Sequence, residues 1–224
     1  VYYCIDNFRL SSAAAKKVRK SEIKLLKESD LVFVTSRELY RYCSQYNNKM
    51  HIFPFGVNFR EFEKVRTDNL SEPKELKGIK KPIIGYVGGI HKWINLELVK
   101  MAALKFPDYS FVFIGPIQTD VTCLRGMKNI SFLGEVEHAK VPAYVNYFDV
   151  CIIPYLITEY TKNVYPTKLN EYLAIGKPVV STAIPEVERF NSENNNIVCI
   201  GRNTEEFCAG IVDALSNNTG AEIN

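Results

Sequence analysis

The sequence predicts an α/β protein built on a doubly wound parallel sheet, and three observations carry that reading. Short runs such as Ile83–Val87, Ser110–Ile114 and Val150–Ile153 are almost wholly apolar, as strands buried on both faces are. Between such runs lie segments whose apolar residues recur three and four apart, the spacing of a helix with one buried face. Several runs end in a glycine turn: Gly88-Gly89, Gly115-Pro116 and Gly134-Glu135. Strands that alternate with helices pair in parallel, and ligands of such sheets bind beyond the carboxyl ends of the strands.

In chain order, residues 1–58 read as βαβαβ: VYYCIDNF, a helix through Ile23, Leu25 and Leu26, LVFVTS, a second helix, and HIFPFGVN. Ser36 is placed to cap the helix that holds Leu39 and Tyr40, with Glu38 in its first turn. Residues 63–80 are polar without a sustained apolar period and read as an interdomain connection. The division expected is therefore 1–62, the trailing part of a first domain, then 63–80, a linker, and 81–224, a second domain. That domain begins with strand Ile83–Val87. Asn95 then caps a helix whose inward face is Leu96, Val99, Ala103 and Phe106. Strands follow at Ser110–Ile114 and 129–133, then a helix after Pro142 and strand Val150–Ile153. After a further helix come strands at 179–181 and 197–200 and a last helix over 205–215, with NSENNN at 191–196 read as a loop.

Composition sets the class. The chain has 224 residues, 46% of them hydrophobic and 24% charged, as in an ordinary globular protein. A net charge of +3 is too small to argue for nucleic acid and does not oppose an anionic ligand or a lipid surface. No apolar run approaches the roughly 20 residues of a membrane helix. Cys4, Cys43, Cys123, Cys151, Cys199 and Cys208 show no C-x-x-C spacing and read as reduced thiols of a cytoplasmic protein.

The stretch 163–182, NVYPTKLNEYLAIGKPVVST, concentrates the chemistry. Pro166 suits the first turn of a helix, Leu169, Tyr172 and Leu173 form one apolar stripe, and Gly176 ends it. A helix of about three turns returning tightly into a buried strand is expected. Thr167 and Lys168 lie in its first turn, where free N–H groups and the helix dipole attract anions. Glu171 is one turn further along, about 5 Å on the same side. A diphosphate on the helix end with its ribose one turn along would meet that carboxylate.

The wording P-x-K-x-x-E-Y-L-A-x-G-K-P-V-V-S-T resembles the donor-site helix of retaining group 1 glycosyltransferases. These are the family-four-like enzymes of the GT-B architecture, with two Rossmann-like domains. Within that group it is most similar to bacterial surface-polysaccharide enzymes of the teichuronic-acid type. IGYVGGIHKWINLEL, FIGP, NISFLGEV and PAYVNYFDVCIIPY occur in the family's order before it. Residues 30–62 resemble the end of the family's first domain, and Asp6 in YYCIDNF sits in a familiar place there.

The resemblance implies sugar transfer with retention, from a nucleotide-diphosphate sugar to a saccharide or lipid-linked acceptor. It implies no metal or other cofactor, no nucleic acid, and a cytoplasmic enzyme with peripheral association at the inner face of the membrane. Glu171 would hold the ribose. Lys168 and His91 are the candidate catalytic residues, Lys168 on the departing diphosphate and His91 as a contact rather than a base. Pro166, Thr167, Gly88, Gly89 and Lys92 would lie near the phosphates or sugar, and Gly134, Glu135 and Val136 near the base. Asn163 stands where the family often has a second Glu, eight residues before Glu171, so contacts to the donor sugar depart from the pattern there.

Plainer readings stand beside these. Gly88-Gly89 and Gly134–Val136 also serve as simple turns. His138 reads as a helix-start surface residue, and Glu159, Glu186 and Glu188 as solvated or helix-start carboxylates. A nucleotide-sugar epimerase of the same architecture and a non-catalytic flavodoxin-like module remain open alternatives. The chain opens on Val1 within a strand-like run, as an excised piece would. Such a piece should bind nucleotide weakly, self-associate and transfer no sugar alone.

Overall fold

The computed structural model describes residues 1–11, 15–67 and 71–218. The first unit runs β1 (Tyr2–Cys4), α1 (Phe8–Ser11), α2 (Ala15–Glu28), β2 (Val32–Val34), α3 (Arg37–Cys43) and β3 (Met50–Ile52). Helix α4 (Phe59–Thr67) leads to the second unit. That unit comprises β4 (Ile83–Val87), α5 (Leu96–Lys105), β5 (Ser110–Ile114), β6 (Ile130–Gly134), α6 (Val141–Tyr147) and β7 (Val150–Ile153). It continues with α7 (Thr167–Ala174), β8 (Val179–Thr182), α8 (Pro185–Glu193), β9 (Val198–Gly201) and α9 (Thr204–Asn218).

Both sheets are parallel throughout. The first has the order β1-β2-β3 and the second β6-β5-β4-β7-β8-β9, so the doubly wound α/β class read from the sequence is borne out. In the second order the chain reverses direction between β4 and β7, which opens a crevice at their carboxyl ends. The large core fills both faces of that sheet: Ile84, Tyr86, Phe111, Phe113, Ile152, Val180 and Phe207 are at most 1% exposed. Each such side chain contributes about 1.5–3 kcal/mol by leaving water. A smaller core, with Cys4, Leu26, Val32, Val34 and Leu39, lies under the three-stranded sheet.

Local signals explain most element ends. The Ser36 and Asn95 side chains accept from the N–H groups of Leu39 and Leu98, the caps expected of them. Where the sequence reading misses, tertiary packing is the reason. Residues 191–193 were expected in a loop, yet α8 runs through them. Asn191 is buried there, donating to the Val198 carbonyl (2.8 Å) and accepting its N–H (2.7 Å). The buried face of α5 is Leu98, Val99, Ala102 and Ala103, rotated from the face expected. The residues read as a polar connection begin inside α4, whose Phe62 and Val65 pack into the large core, while 68–70 lie outside the described residues.

Candidate active site

The floor of the site is a seam of three strand ends. The Gly88 N–H donates to the Ile114 carbonyl (2.8 Å) and the Gly115 N–H to the Gly134 carbonyl (2.7 Å). Gly88 and Gly115 have φ of +131° and +136°, where L side chains are strained. A Cβ on Gly115 would overlap the Gly88 carbonyl, so the ends of β4 and β5 meet backbone to backbone.

Helix α7 overhangs this floor. Pro166 takes the position just before the helix, with ψ of 110°, rather than a place in the first turn. An extended ψ there starts the helix at Thr167, and no side chain caps that end. The helix has 8 residues, shorter than expected, and two anchors fix it. The Val87 N–H donates to the buried Tyr172 hydroxyl (2.8 Å), which ties the middle of α7 to the end of β4. At the other end the Gly176 N–H reaches Leu173 (2.9 Å) and the Lys177 N–H reaches Tyr172 (3.0 Å), with Gly176 at φ +78°. This double bond pattern is the glycine stop read from the sequence.

The charged groups follow from that placement. Lys168 Nζ donates to the Tyr155 hydroxyl (2.6 Å) and lies 5.2 and 5.1 Å from the ring centres of Tyr86 and Tyr155. Two aromatic faces thus hold the cation in place. The same Nζ lies 3.4 Å from where a Cβ on Gly88 would stand, so Lys168 and the β4 end, read separately from the sequence, come together. Thr167 is exposed beside them. One turn along, the Glu171 carboxyl is 20% exposed, with His138 Nε2 at 3.8 Å from Oε1. His138 is indeed an exposed residue at a helical start, but its approach to Glu171 was not readable across the intervening chain.

His91 and Lys92 face elsewhere. The His91 ring stacks on Trp93 at 3.8 Å and 9°, and its Nδ1 accepts the Lys92 N–H (2.9 Å). Partial burial, and secondarily the Lys92 charge, hold the imidazole pKa below its ordinary value, which favours the neutral ring. Trp93 lies 5.4 Å from Tyr160, whose hydroxyl donates to Asp6 Oδ2 (2.6 Å). Burial first, and then Asp6, push the Tyr160 phenol upward, so it stays a donor. Leu10, His91, Lys92, Trp93, Thr158 and Tyr160 enclose a cavity of about 380 Å³ between the two units. Trp93 and Tyr160 were missed by the sequence reading, although Trp93 is the one tryptophan in the chain.

The remaining candidates separate. Glu135 is exposed after Gly134, and Val136 packs on the large core. Asn163 is buried, and its carboxamide donates to the Glu159 carbonyl (2.6 Å), so that N–H is spent within its own loop. Glu186 does start a helix but is not solvated. It is 2% exposed, accepts the Arg37 N–H from the first unit (2.7 Å) and pairs with Arg189 (2.9 Å). Glu188, in the same first turn, pairs with Arg202 (2.7 Å), and Glu159 pairs with Lys162 (2.7 Å).

Comparison with known proteins decides the family. The model of the family described as glycosyl transferases group 1 matches residues 81–217, the unit that carries α7 and the seam. The chain belongs to the group 1 glycosyltransferases. It is similar to TuaH of Bacillus subtilis, named for a glycosyltransferase role in teichuronic acid biosynthesis, with 28% identity over 219 residues. That match covers 93% of this chain and 54% of TuaH, so the chain spans about half the length of this relative. Among solved structures it resembles Anabaena HepE in complex with UDP, with a TM-score of 0.72 and 14% identity over 98% of this chain and 63% of that one. Sucrose-phosphate synthase of Thermosynechococcus elongatus gives 0.68 and 18%, over 95% and 56%. At these identities the structural likeness establishes the GT-B fold of this group 1 glycosyltransferase chain.

Proposed function

We propose that residues 81–224 hold the nucleotide-diphosphate sugar of a retaining glycosyltransferase that assembles a surface polysaccharide. Residues 1–62 belong to the acceptor side and 63–80 link the two. The observation that carries the proposal is Lys168, set against the Gly88 strand end at the uncapped N-terminus of α7, with Glu171 one turn further on. In this reading the diphosphate rests on the free N–H groups of Thr167 and Lys168, facing Gly88 and Gly89. Lys168 Nζ turns part of its hydrogen bonding from Tyr155 to phosphate. Glu171 takes the two ribose hydroxyls in place of His138, and the base lies along Gly134, Glu135 and Val136.

As the glycosidic bond breaks, negative charge grows on the departing diphosphate, where the helix end and Lys168 are already aimed. No metal is needed for that stabilisation. A donor phosphate oxygen takes the proton of the incoming hydroxyl on the same face, which keeps the anomeric configuration. The acceptor, a saccharide or lipid-linked glycan, enters from the cavity that His91, Trp93 and Tyr160 share with Leu10. The UDP in the HepE structure and the teichuronic acid role in the name of TuaH support this reading.

Calorimetry with UDP, GDP, ADP and dTDP tests it. A carboxylate taking two hydroxyls makes bonds of about 1.5–3 kcal/mol each, so Glu171→Ala should weaken the preferred nucleotide about tenfold or more. A folded Glu171→Ala variant with undiminished affinity would remove the assignment.

A further inference from the structure

Tyr155 follows β7 by two residues and is 6% exposed. Its backbone is fixed from several directions. The Thr182 hydroxyl donates to the Tyr155 carbonyl (2.8 Å), a β-bridge joins Tyr155 to Ile94, and the next N–H, of Leu156, reaches the Trp93 carbonyl (2.7 Å). The ring is thereby packed into place, and its oxygen accepts from Lys168 Nζ (2.6 Å). A phenol has one proton of its own to donate as well. Among the described residues no carbonyl or carboxylate takes the Tyr155 proton. The neighbouring Tyr86 hydroxyl does have such an acceptor, the Gly89 carbonyl at 3.1 Å. A buried hydroxyl ordinarily spends its donor, because leaving it unmade costs free energy.

These groups converge on the end of β4. A Cβ on Gly88 would stand 3.3 Å from the Tyr86 hydroxyl oxygen and 3.4 Å from Lys168 Nζ, which in turn touches the Tyr155 oxygen. Among the described residues no carboxylate pairs with Lys168, and its close neighbours are the two tyrosine rings. An ammonium held by aromatic faces instead of a counter-ion keeps its charge and its remaining N–H groups for an anion. By donating to Tyr155 it also polarises the phenol, so that O–H becomes a stronger donor than a free hydroxyl.

We propose that Tyr155 is a second diphosphate donor, its hydroxyl bonding the phosphate that Lys168 meets, which rests on the nucleotide-diphosphate reading of this site. The ammonium keeps one N–H on Tyr155 and turns another to phosphate, while Tyr155 gives its own O–H to that phosphate. Both protons stay on the protein, and only hydrogen bonds change. As charge grows on the departing diphosphate, two linked donors meet it rather than one.

Calorimetry on Tyr155→Phe tests it, with the preferred diphosphate among UDP, GDP, ADP and dTDP and with the matching nucleoside. The substitution keeps the ring and removes only the hydroxyl. It should weaken the diphosphate about tenfold and leave both the nucleoside affinity and the melting temperature those of the parent. In a Lys168→Ala background it should weaken the diphosphate again, because the hydroxyl reaches phosphate itself. No further loss in that background would make Tyr155 a mere support for Lys168 and overturn the proposal. So would equal losses for diphosphate and nucleoside with a fallen melting temperature, which mark a structural hydroxyl. Unchanged or tighter diphosphate binding by Tyr155→Phe would overturn it too. In each of these cases the nucleotide reading survives if Lys168→Ala and Glu171→Ala still weaken the diphosphate. If neither does, that reading falls and takes the role of Tyr155 with it.

Discussion

The three-stranded and six-stranded sheets follow the same parallel βαβ connection and differ in how fully they are covered. Strands β4, β7 and β8 are buried at every residue, whereas β1 and β3 each bury one residue of three. On the smaller sheet and its flanks Tyr3, Ile5 and Phe53 are 38%, 40% and 62% exposed. Parallel strands gain most when both faces are covered, so the larger sheet holds most of the folding free energy. The site is built on that sheet, where Lys168, Gly88 and Glu171 are placed by packed elements. The smaller sheet reaches it through polar bonds: Asp6 to Tyr160, Phe55 to Asn170 and Arg37 to Glu186. The contrast teaches that the candidate site rests on the fully covered sheet, with the less covered sheet joined to it by these polar bonds.

The largest expected effect tests the contrast directly. Phe111→Ala, at the centre of the larger core, should cost about 3–5 kcal/mol and lower the melting temperature of the whole chain. Leu26→Ala also deletes a fully buried side chain, but from the smaller core. It should raise amide exchange within 1–58 while leaving UDP affinity intact. Equal loss of protection in both units would erase the distinction.

An intermediate effect sharpens it at the site. Lys168→Ala should weaken a nucleoside diphosphate about tenfold and the bare nucleoside hardly at all, because the lost bond is to phosphate. Equal losses for both ligands would make Lys168 a structural residue. The smallest effect concerns the tether. Tyr160→Phe removes the hydroxyl that reaches Asp6, should cost about 1 kcal/mol or less, and should broaden the distance distribution between the units in small-angle scattering. An unchanged distribution would show that this bond does not hold the units together.

The same contrast explains what was legible in the sequence. Ile83–Val87, Ser110–Ile114 and Val150–Ile153 were readable because burial on both faces leaves an unbroken apolar run. Ser36 and Asn95 were readable because a cap needs only its own side chain and the next turn. The extent of α8 was hidden because two of its three buried residues, Glu186 and Asn191, are polar. Their partners are remote or lie beyond the helix: the Arg37 N–H is 149 residues away, and Val198 is on the next strand. At the site, Lys168 and Gly88 followed from helix and strand ends. The partnership of Asp6 with Tyr160, 154 residues apart, left no local periodicity to detect.

The glycine seam limits the mutational routes open to this site. Three strand ends joined backbone to backbone offer no side chain to exchange, and a single codon change at Gly115 meets the carbonyl of Gly88. Relieving that overlap means moving Gly88, and with it the surface against which Lys168 lies. The floor can therefore be inherited or lost as a unit but not tuned. Changes in ligand preference have to come from exposed side chains near it, such as Glu135 and His138. A saturation library selected for nucleotide binding should return glycine at 115 and varied residues at 135 and 138. Clones that still bind nucleotide with alanine at 115 would show that the seam can yield.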